Sequence, residues 1–422
     1  MTSTEPFPAD TRPNAKSVAD FIDGIEHLAT ARQLPGIWHN ISTWPEGALT
    51  AKDLARIFTV SARKVRDAVD APPGMGHAAW IKDKDSYFRQ LSKSVQSAEK
   101  HVTALAPEMT IREWTEILNA YGRMYVLLGA PVQNGFAALC ASQAVSSRGK
   151  SYTTNAFRIM ALMTLPPPPG LTARAKSIIE TQNPKKMKEY YPRLMWSAAC
   201  MDAIRPQPEM AYLAKTCLSR MEGKVSYRDD QHVSKIHDAA LWFGLEHDDR
   251  VIFESTQITT HLDHRLARIF NDAAFAKIEP GLSYLPRLRK STDLALRMPD
   301  GRIVHIEADG PLHFNYWYQS DRSKGSEKQR LREQYNGGTM FQTALMGRLY
   351  PDQIFLRFPH FHLNRLVHHY PAPQIHAQIL GNLVDQAIAM ADSGAGNTAI
   401  IGFHKNAFSL RPLGPRPCPQ TA

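Results

Sequence analysis

The sequence predicts two structural classes in one chain: a helical, repeat-like N-terminal region and a C-terminal α/β domain. Three observations predict it. Before residue 250, apolar residues recur at three- and four-residue spacing in a series of short segments, which is the signature of a helix face. After it, β-prone runs alternate with turn residues and with further helical segments. The chain has 422 residues, 43% hydrophobic and 21% charged, enough apolar material for more than one core and too long for a single ordinary one.

Residues 1–17 are polar, carry Pro6, Pro8 and Pro13, and are expected as a flexible tail. They contain no apolar core of a secretory signal, although such a start also suits a bacterial specialised-secretion signal. Residues 18–250 are expected as the helical region. Its amphipathic segments are Asp53–Phe58, Arg112–Tyr121, Asn155–Ala161, Arg193–Ala199 and Val233–Trp242. Prolines interrupt them at Pro72–Pro73, Pro166–Pro169, Pro206 and Pro208, where a helix cannot continue. The anchors Ile117, Ile159, Met195 and Ile236 recur about 40 residues apart, near the period of helix-pair repeats that stack into a solenoid.

Residues 251–422 are expected as the α/β domain. Val251–Phe253 and Gln257–Thr260 are short and β-prone. Leu294–Leu296 and Ile303–Ile306 flank Met298-Pro-Asp-Gly-Arg302, an apolar run, a turn and a second apolar run, hence a hairpin. Glu327–Tyr335 and Thr339–Leu349 are expected helical with a break at Gly337-Gly338. Ile354–Phe358 is expected as a strand, Ala377–Ala391 as a helix and Thr398–Phe403 as a last strand.

The net charge is +10, which favours an anionic partner, with nucleic acid first. The four cysteines, Cys140, Cys200, Cys217 and Cys418, form no CxxC pair and point to buried thiols in a reducing compartment, the cytoplasm, with export to a host cell or organelle left open. No apolar run reaches the length of a membrane span, so no membrane partner is expected.

Thr292-Asp-Leu-Ala-Leu296, Arg302-Ile-Val-His-Ile-Glu-Ala-Asp-Gly-Pro-Leu-His-Phe314, Asn336-Gly-Gly-Thr339 and Ile354-Phe-Leu-Arg-Phe-Pro359 together resemble the RAP domain, over about 85 residues from Leu282 to Val367. The Asp309–Phe314 core is the most specific part. RAP domains follow helical repeats in octotricopeptide-repeat and FAST-kinase-domain proteins, so the resemblance implies a helical platform holding single-stranded RNA and a RAP-like domain that contacts or processes it. This chain departs from the family at Phe341–Leu345, where a basic pair is usual; Arg348 is the available substitute.

RAP domains are also similar in layout to the restriction-endonuclease-like fold and the very-short-patch repair nuclease. There, one acid at a strand start and another on the adjacent strand hold Mg²⁺, a hard cation that takes oxygen ligands and a substrate phosphate. By that likeness Asp293 and Glu307 are the candidate ligands of Mg²⁺ or Mn²⁺, on opposite arms of the hairpin. Asp309 shares strand parity with Glu307, and His313 stands in for the absent lysine of the Glu-x-Lys motif as a general base or acid. Asp309 is also suited to capping a turn, and Asp293 to pairing with Arg297 or Arg302. Basic residues flank the hairpin: Arg287, Arg289 and Lys290 before it, Arg322, Lys324, Lys328, Arg330 and Arg332 after it. Tyr316 and Trp317 lie between. Cations neutralise phosphates and aromatic faces stack unpaired bases; core packing is the competing role for the aromatics. Three functions compete on these grounds: an RNA-binding protein, a metal-dependent endonuclease, and a protein-interaction module such as a secreted bacterial effector.

Overall fold

The computed structural model describes residues 15–69, 77–142, 149–221, 230–246, 277–278, 282–319, 330–370, 372–404 and 407–413. The chain has a helical N-terminal region and a C-terminal mixed sheet. Its two compact units are Met1–Asn183 with Phe314–Tyr335, and Pro184–His313 with Asn336–Ala422. The boundary expected near residue 250, with Val251–Phe253 and Gln257–Thr260, falls outside the described residues; the units divide at 183/184 instead, and the second lends a hairpin to the first.

The first unit contains α1 (Ala15–His27), α2 (Leu34–Thr43), α3 (Ala51–Val69), α4 (His77–Ser97), α5 (Glu99–Leu105), α6 (Ile111–Arg123), α7 (Ala130–Ser142), α8 (Lys150–Leu162) and α9 (Pro169–Thr181). Helix α1 already begins at Ala15, inside the stretch expected as tail. The local causes are ordinary. Thr110 and Glu113 form a reciprocal capping box that satisfies the first amides of α6. The spacing of Trp114, Ile117, Leu118 and Tyr121 then puts four fully buried side chains on one face, each burial contributing about 2 kcal/mol. The proline run does not remain a connector throughout: Pro169 is the first residue of α9, where its missing N–H has no partner to lose. Packing follows two rows. Helices α1, α3, α6 and α8 adjoin in succession, and α5, α7 and α9 form a second row, with α8 against α9.

The hairpin of this unit is β6 (Phe314–Gln319) with β7 (Arg330–Tyr335). Tyr316 fixes it to the helices. Its amide donates to Tyr125 O (2.7 Å), and its carbonyl accepts from Leu127 N (3.0 Å) and Ser92 Oγ (3.0 Å). Strand β7 corrects the helix expected over Glu327–Tyr335. Arg-Leu-Arg-Glu-Gln has good helix propensity, but pairing with β6 overrides that weak local preference.

In the second unit, α10 (Tyr191–Ile204), α11 (Pro208–Met221) and α12 (Asp230–Phe243) pack together. They precede a six-stranded sheet in the order β1 (Lys277–Ile278), β4 (Leu294–Arg297), β5 (Ile303–Asp309), β8 (Ile354–Pro359), β9 (Thr398–His404) and β10 (Ala407–Pro412). A small ladder, β2 (Tyr284–Leu285) with β3 (Lys290–Ser291), stands apart. The β4–β5 hairpin forms as expected, and Gly301 supplies the left-handed turn residue at φ +88°. Strands β5, β8 and β9 run parallel. Parallel neighbours need crossovers, supplied by α13 (Gly337–Leu349) between β5 and β8 and by α14 (His360–His369) with α15 (Pro373–Asp392) between β8 and β9. Gly337-Gly338 does not break α13; it forms the first turn, capped by Asn336, whose side chain accepts from Thr339 N (2.9 Å). Leu296, Val304, Ile306, Leu356, Phe358, Leu380 and Val384 make the core.

Candidate functional site

Parallel strands end together, so β5 and β8 deliver their last residues to one place. Asp309 ends β5 and His360 follows β8 at the start of α14. The Asp309 side chain is 1% exposed, and its Oδ1 lies 2.5 Å from Arg357 Nη1. Arg357, in the middle of β8 and 5% exposed, also donates from Nε to Thr343 Oγ1 (2.7 Å) and approaches Glu307 Oε2 at 3.7 Å. A buried carboxylate and a buried guanidinium each compensate the other's desolvation only when both are held in such geometry.

His313 completes the cluster. Its Nδ1 is 3.2 Å from Asp309 Oδ1 and 3.1 Å from Thr339 Oγ1, in the first turn of α13. Desolvation lowers its pKa, Asp309 opposes that fall, and Arg357 and His360 add to it. The imidazole is therefore neutral at physiological pH and, with its side chain 42% exposed, is the accessible member of a buried carboxylate–histidine pair. His360 Nδ1 lies 3.1 Å from the carbonyl oxygen of Asp309, which can only accept, so this nitrogen carries the proton.

The segments Asp309–Phe314 and Asn336–Thr339 meet here although the hairpin 314–335 separates them in sequence. Asn336 N donates to His313 O (2.9 Å) and Asn336 Nδ2 to Leu312 O (2.9 Å). Glu307 and Asp309 reach the same guanidinium nitrogen, as strand parity requires. Continuing the β4–β5 register by one residue sets Asp293 against Glu307. The Asp293 side chain accepts at Oδ2 from Ala308 N (2.7 Å), and Arg302 binds Asp300 and Asp392. Asp309 is an ion-pair member, buried against Arg357.

Mg²⁺ takes one or two protein oxygens and otherwise keeps water or phosphate; here Asp293 Oδ2 is engaged by Ala308 N and Glu307 Oε2 lies 3.7 Å from Arg357. Among the described residues no group of three or more His, Cys, Asp or Glu is arranged to hold a metal.

The expected nucleic-acid residues do not form one set. Lys290 Nζ is 2.5 Å from Asp238 Oδ2 and bonds Gln342, and Arg287 Nη1 donates to Leu349 O (3.1 Å), so both tie the small ladder to helices. Arg289 occupies the left-handed region at φ +53°. Tyr316 is fully buried and stacks on Phe88 at 5.1 Å, which removes its ring as a base-stacking face. Trp317, Arg330 and Arg332 are described by backbone alone, and Arg322, Lys324 and Lys328 lie outside the described residues. Arg348 donates to Trp242 O (2.7 Å) and lies over its ring.

Sequence reasoning missed Arg357, Thr339, Thr343 and His360. The signal for Arg357 was a single charge inside Ile354–Pro359, a strand whose every residue is buried. No protein-family model matches the chain, and no curated protein matches it. Among the described residues no helix is long and apolar enough to cross a membrane.

Proposed function

We propose that this chain is an RNA-binding protein in which a helical platform holds single-stranded RNA and a RAP-like α/β unit contacts or processes it. One observation carries the reading: the two segments that resemble the RAP signature bond to each other and gather Asp309, His313, Thr339 and Arg357 at the ends of parallel strands. A neutral, partly exposed imidazole held by a buried carboxylate suits proton transfer at a phosphate or a ribose hydroxyl. The net charge of +10 and the two rows of helices agree with a polyanion as partner and with a repeat platform. The buried thiols of Cys140, Cys200 and Cys217 suit a reducing cytoplasm.

The test is a salt titration of labelled single-stranded RNA by fluorescence anisotropy. Binding at low salt that weakens linearly in log–log form is expected. No binding at low salt ends the RNA reading and leaves a protein-interaction module.

A second reading is a metal-dependent endonuclease of restriction-like layout, favoured by the register that opposes Asp293 and Glu307. These two would hold Mg²⁺ or Mn²⁺, and the metal would supply charge neutralisation at the scissile phosphate. Metal-dependent cleavage lost in both Asp293→Asn and Glu307→Gln is expected; cleavage that survives both removes the reading.

A further inference from the structure

The last part of the chain is short of acids. Residues 353–384 contain no Asp or Glu, and neither do 393–422; Asp385 and Asp392 of α15 are the only acids after Asp352. Asp392 is already bonded to Arg302. The same stretch carries Arg357, Arg365 and Arg411 with His360, His362, His368 and His369. Arg357 is consumed by Asp309. Arg365 on α14 and Arg411 on the edge strand β10 are exposed, and among the described residues neither has a carboxylate partner. Elsewhere exposed arginines find one: Arg56 with Asp23, Arg63 with Glu26, Arg112 with Glu116.

We infer that the face formed by α14 and β10 is a binding site for the phosphate backbone of a single-stranded polynucleotide, held by Arg365 and Arg411. This rests on the RNA reading above and assigns it a surface. The Arg365 guanidinium lies over the Phe403 ring, 5.1 Å from its centroid, a contact that positions the cation without consuming its N–H donors. His362 Nδ1 is buried and has no hydrogen-bond partner. Burial pushes the His362 pKa down to about 4, and the neighbouring Arg365, His360 and Arg411 add to the fall by their positive potential. An anion seated on Arg365 and Arg411 relieves that potential.

The place of this face beside the strand-end cluster favours a polynucleotide over an isolated anion. His360 opens α14 with its Nδ1 on the Asp309 carbonyl, and Arg365 lies five residues on, about 7.5 Å along the helix axis. A strand held on Arg365 and Arg411 and extended toward Asp309 and His313 sets a neighbouring nucleotide at the imidazole.

The experiment uses the full chain, a fluorescein-labelled twelve-nucleotide oligouridylate, and anisotropy across a salt series. The double variant Arg365→Gln/Arg411→Gln is compared with wild type and with Arg112→Gln, an exposed arginine far along the sequence. Thermal melts confirm equal folding. The double variant is expected to bind about tenfold more weakly at low salt. Its log–log salt slope should be smaller by roughly 1.4, about 0.7 for each lost phosphate contact on a single strand, while Arg112→Gln binds like wild type. Unchanged affinity and slope in the double variant overturn the assignment and leave the RNA reading standing. An equal loss in Arg112→Gln overturns it in favour of general charge. Absence of wild-type binding overturns both. In a parallel arm, binding to phosphatidylserine vesicles that the double variant loses, with RNA affinity unchanged, overturns it in favour of a membrane surface.

Discussion

Each unit buries a carboxylate, and the two are buried in opposite ways. In the helical unit, Glu99 at the start of α5 accepts from Tyr121 Oη (3.1 Å) and Gly129 N (2.9 Å) and has no cation partner among the described residues. Gly129 has no Cβ because one would stand 2.0 Å from the Glu99 carboxyl. Burial raises the Glu99 pKa to about 7, against the pull of those two hydrogen bonds. In the α/β unit, Asp309 is more deeply buried but faces Arg357 at 2.5 Å, with His313 on the same oxygen. A lone buried acid adjusts by holding its proton; a paired one requires a complete set of neighbours. A buried ion pair adds little stability over apolar residues of the same size. At the strand ends that pair stands beside a partly exposed imidazole, whereas Glu99 has only neutral neighbours among its hydrogen-bond partners.

Three substitutions break or sharpen this contrast. The largest effect is expected from Arg357→Met, which leaves Asp309 buried without its cation. A loss of about 4 kcal/mol in urea unfolding is expected, and a loss under 1 kcal/mol would mean that the pair is not the organising contact. Next comes Glu99→Gln. The folded pKa of Glu99 lies above its unfolded value of about 4.3, so the native state holds the extra proton, and stability falls as pH rises from about 4.3 to about 7. Wild type should be less stable at pH 8 than at pH 5. The variant should lose that slope and gain roughly 2–3 kcal/mol at pH 8, read from urea melts at both values; an identical pH dependence would place the titration elsewhere. The smallest effect is expected from Thr343→Val, which keeps shape but strands Arg357 Nε. It should lower stability by about 1.5 kcal/mol, and combining it with Arg357→Met should add almost nothing, because both remove the same bond.

The parts of this fold that the sequence revealed are those with local causes. The β4–β5 hairpin was legible from its Pro-Asp-Gly turn, β8 from its apolar run, and α6 from the three- and four-residue spacing of its apolar residues. Strand β7 was not, because Arg330–Tyr335 has helical propensity and becomes a strand only by pairing with β6. The site was half legible. Glu307 and Asp309 converge as strand parity requires and His313 follows in the turn after the strand, whereas Arg357 reaches Asp309 across 48 positions and through a parallel pairing that no local pattern encodes. Tyr316 was misread because an aromatic between basic residues looks the same whether it faces a base or Phe88.

The hairpin 314–335, which belongs to the helical unit yet is spelled inside the α/β unit, has a consequence for biosynthesis. When Asn183 leaves the ribosome, the first unit still lacks two strands that have not been translated. At 5–20 residues per second their arrival takes on the order of ten seconds more. During that interval the backbone groups of Tyr125 and Leu127 that later bond Tyr316 have no strand to meet. The nascent helical rows must wait in an unfinished state, so chaperone demand should peak then, before the chain is complete.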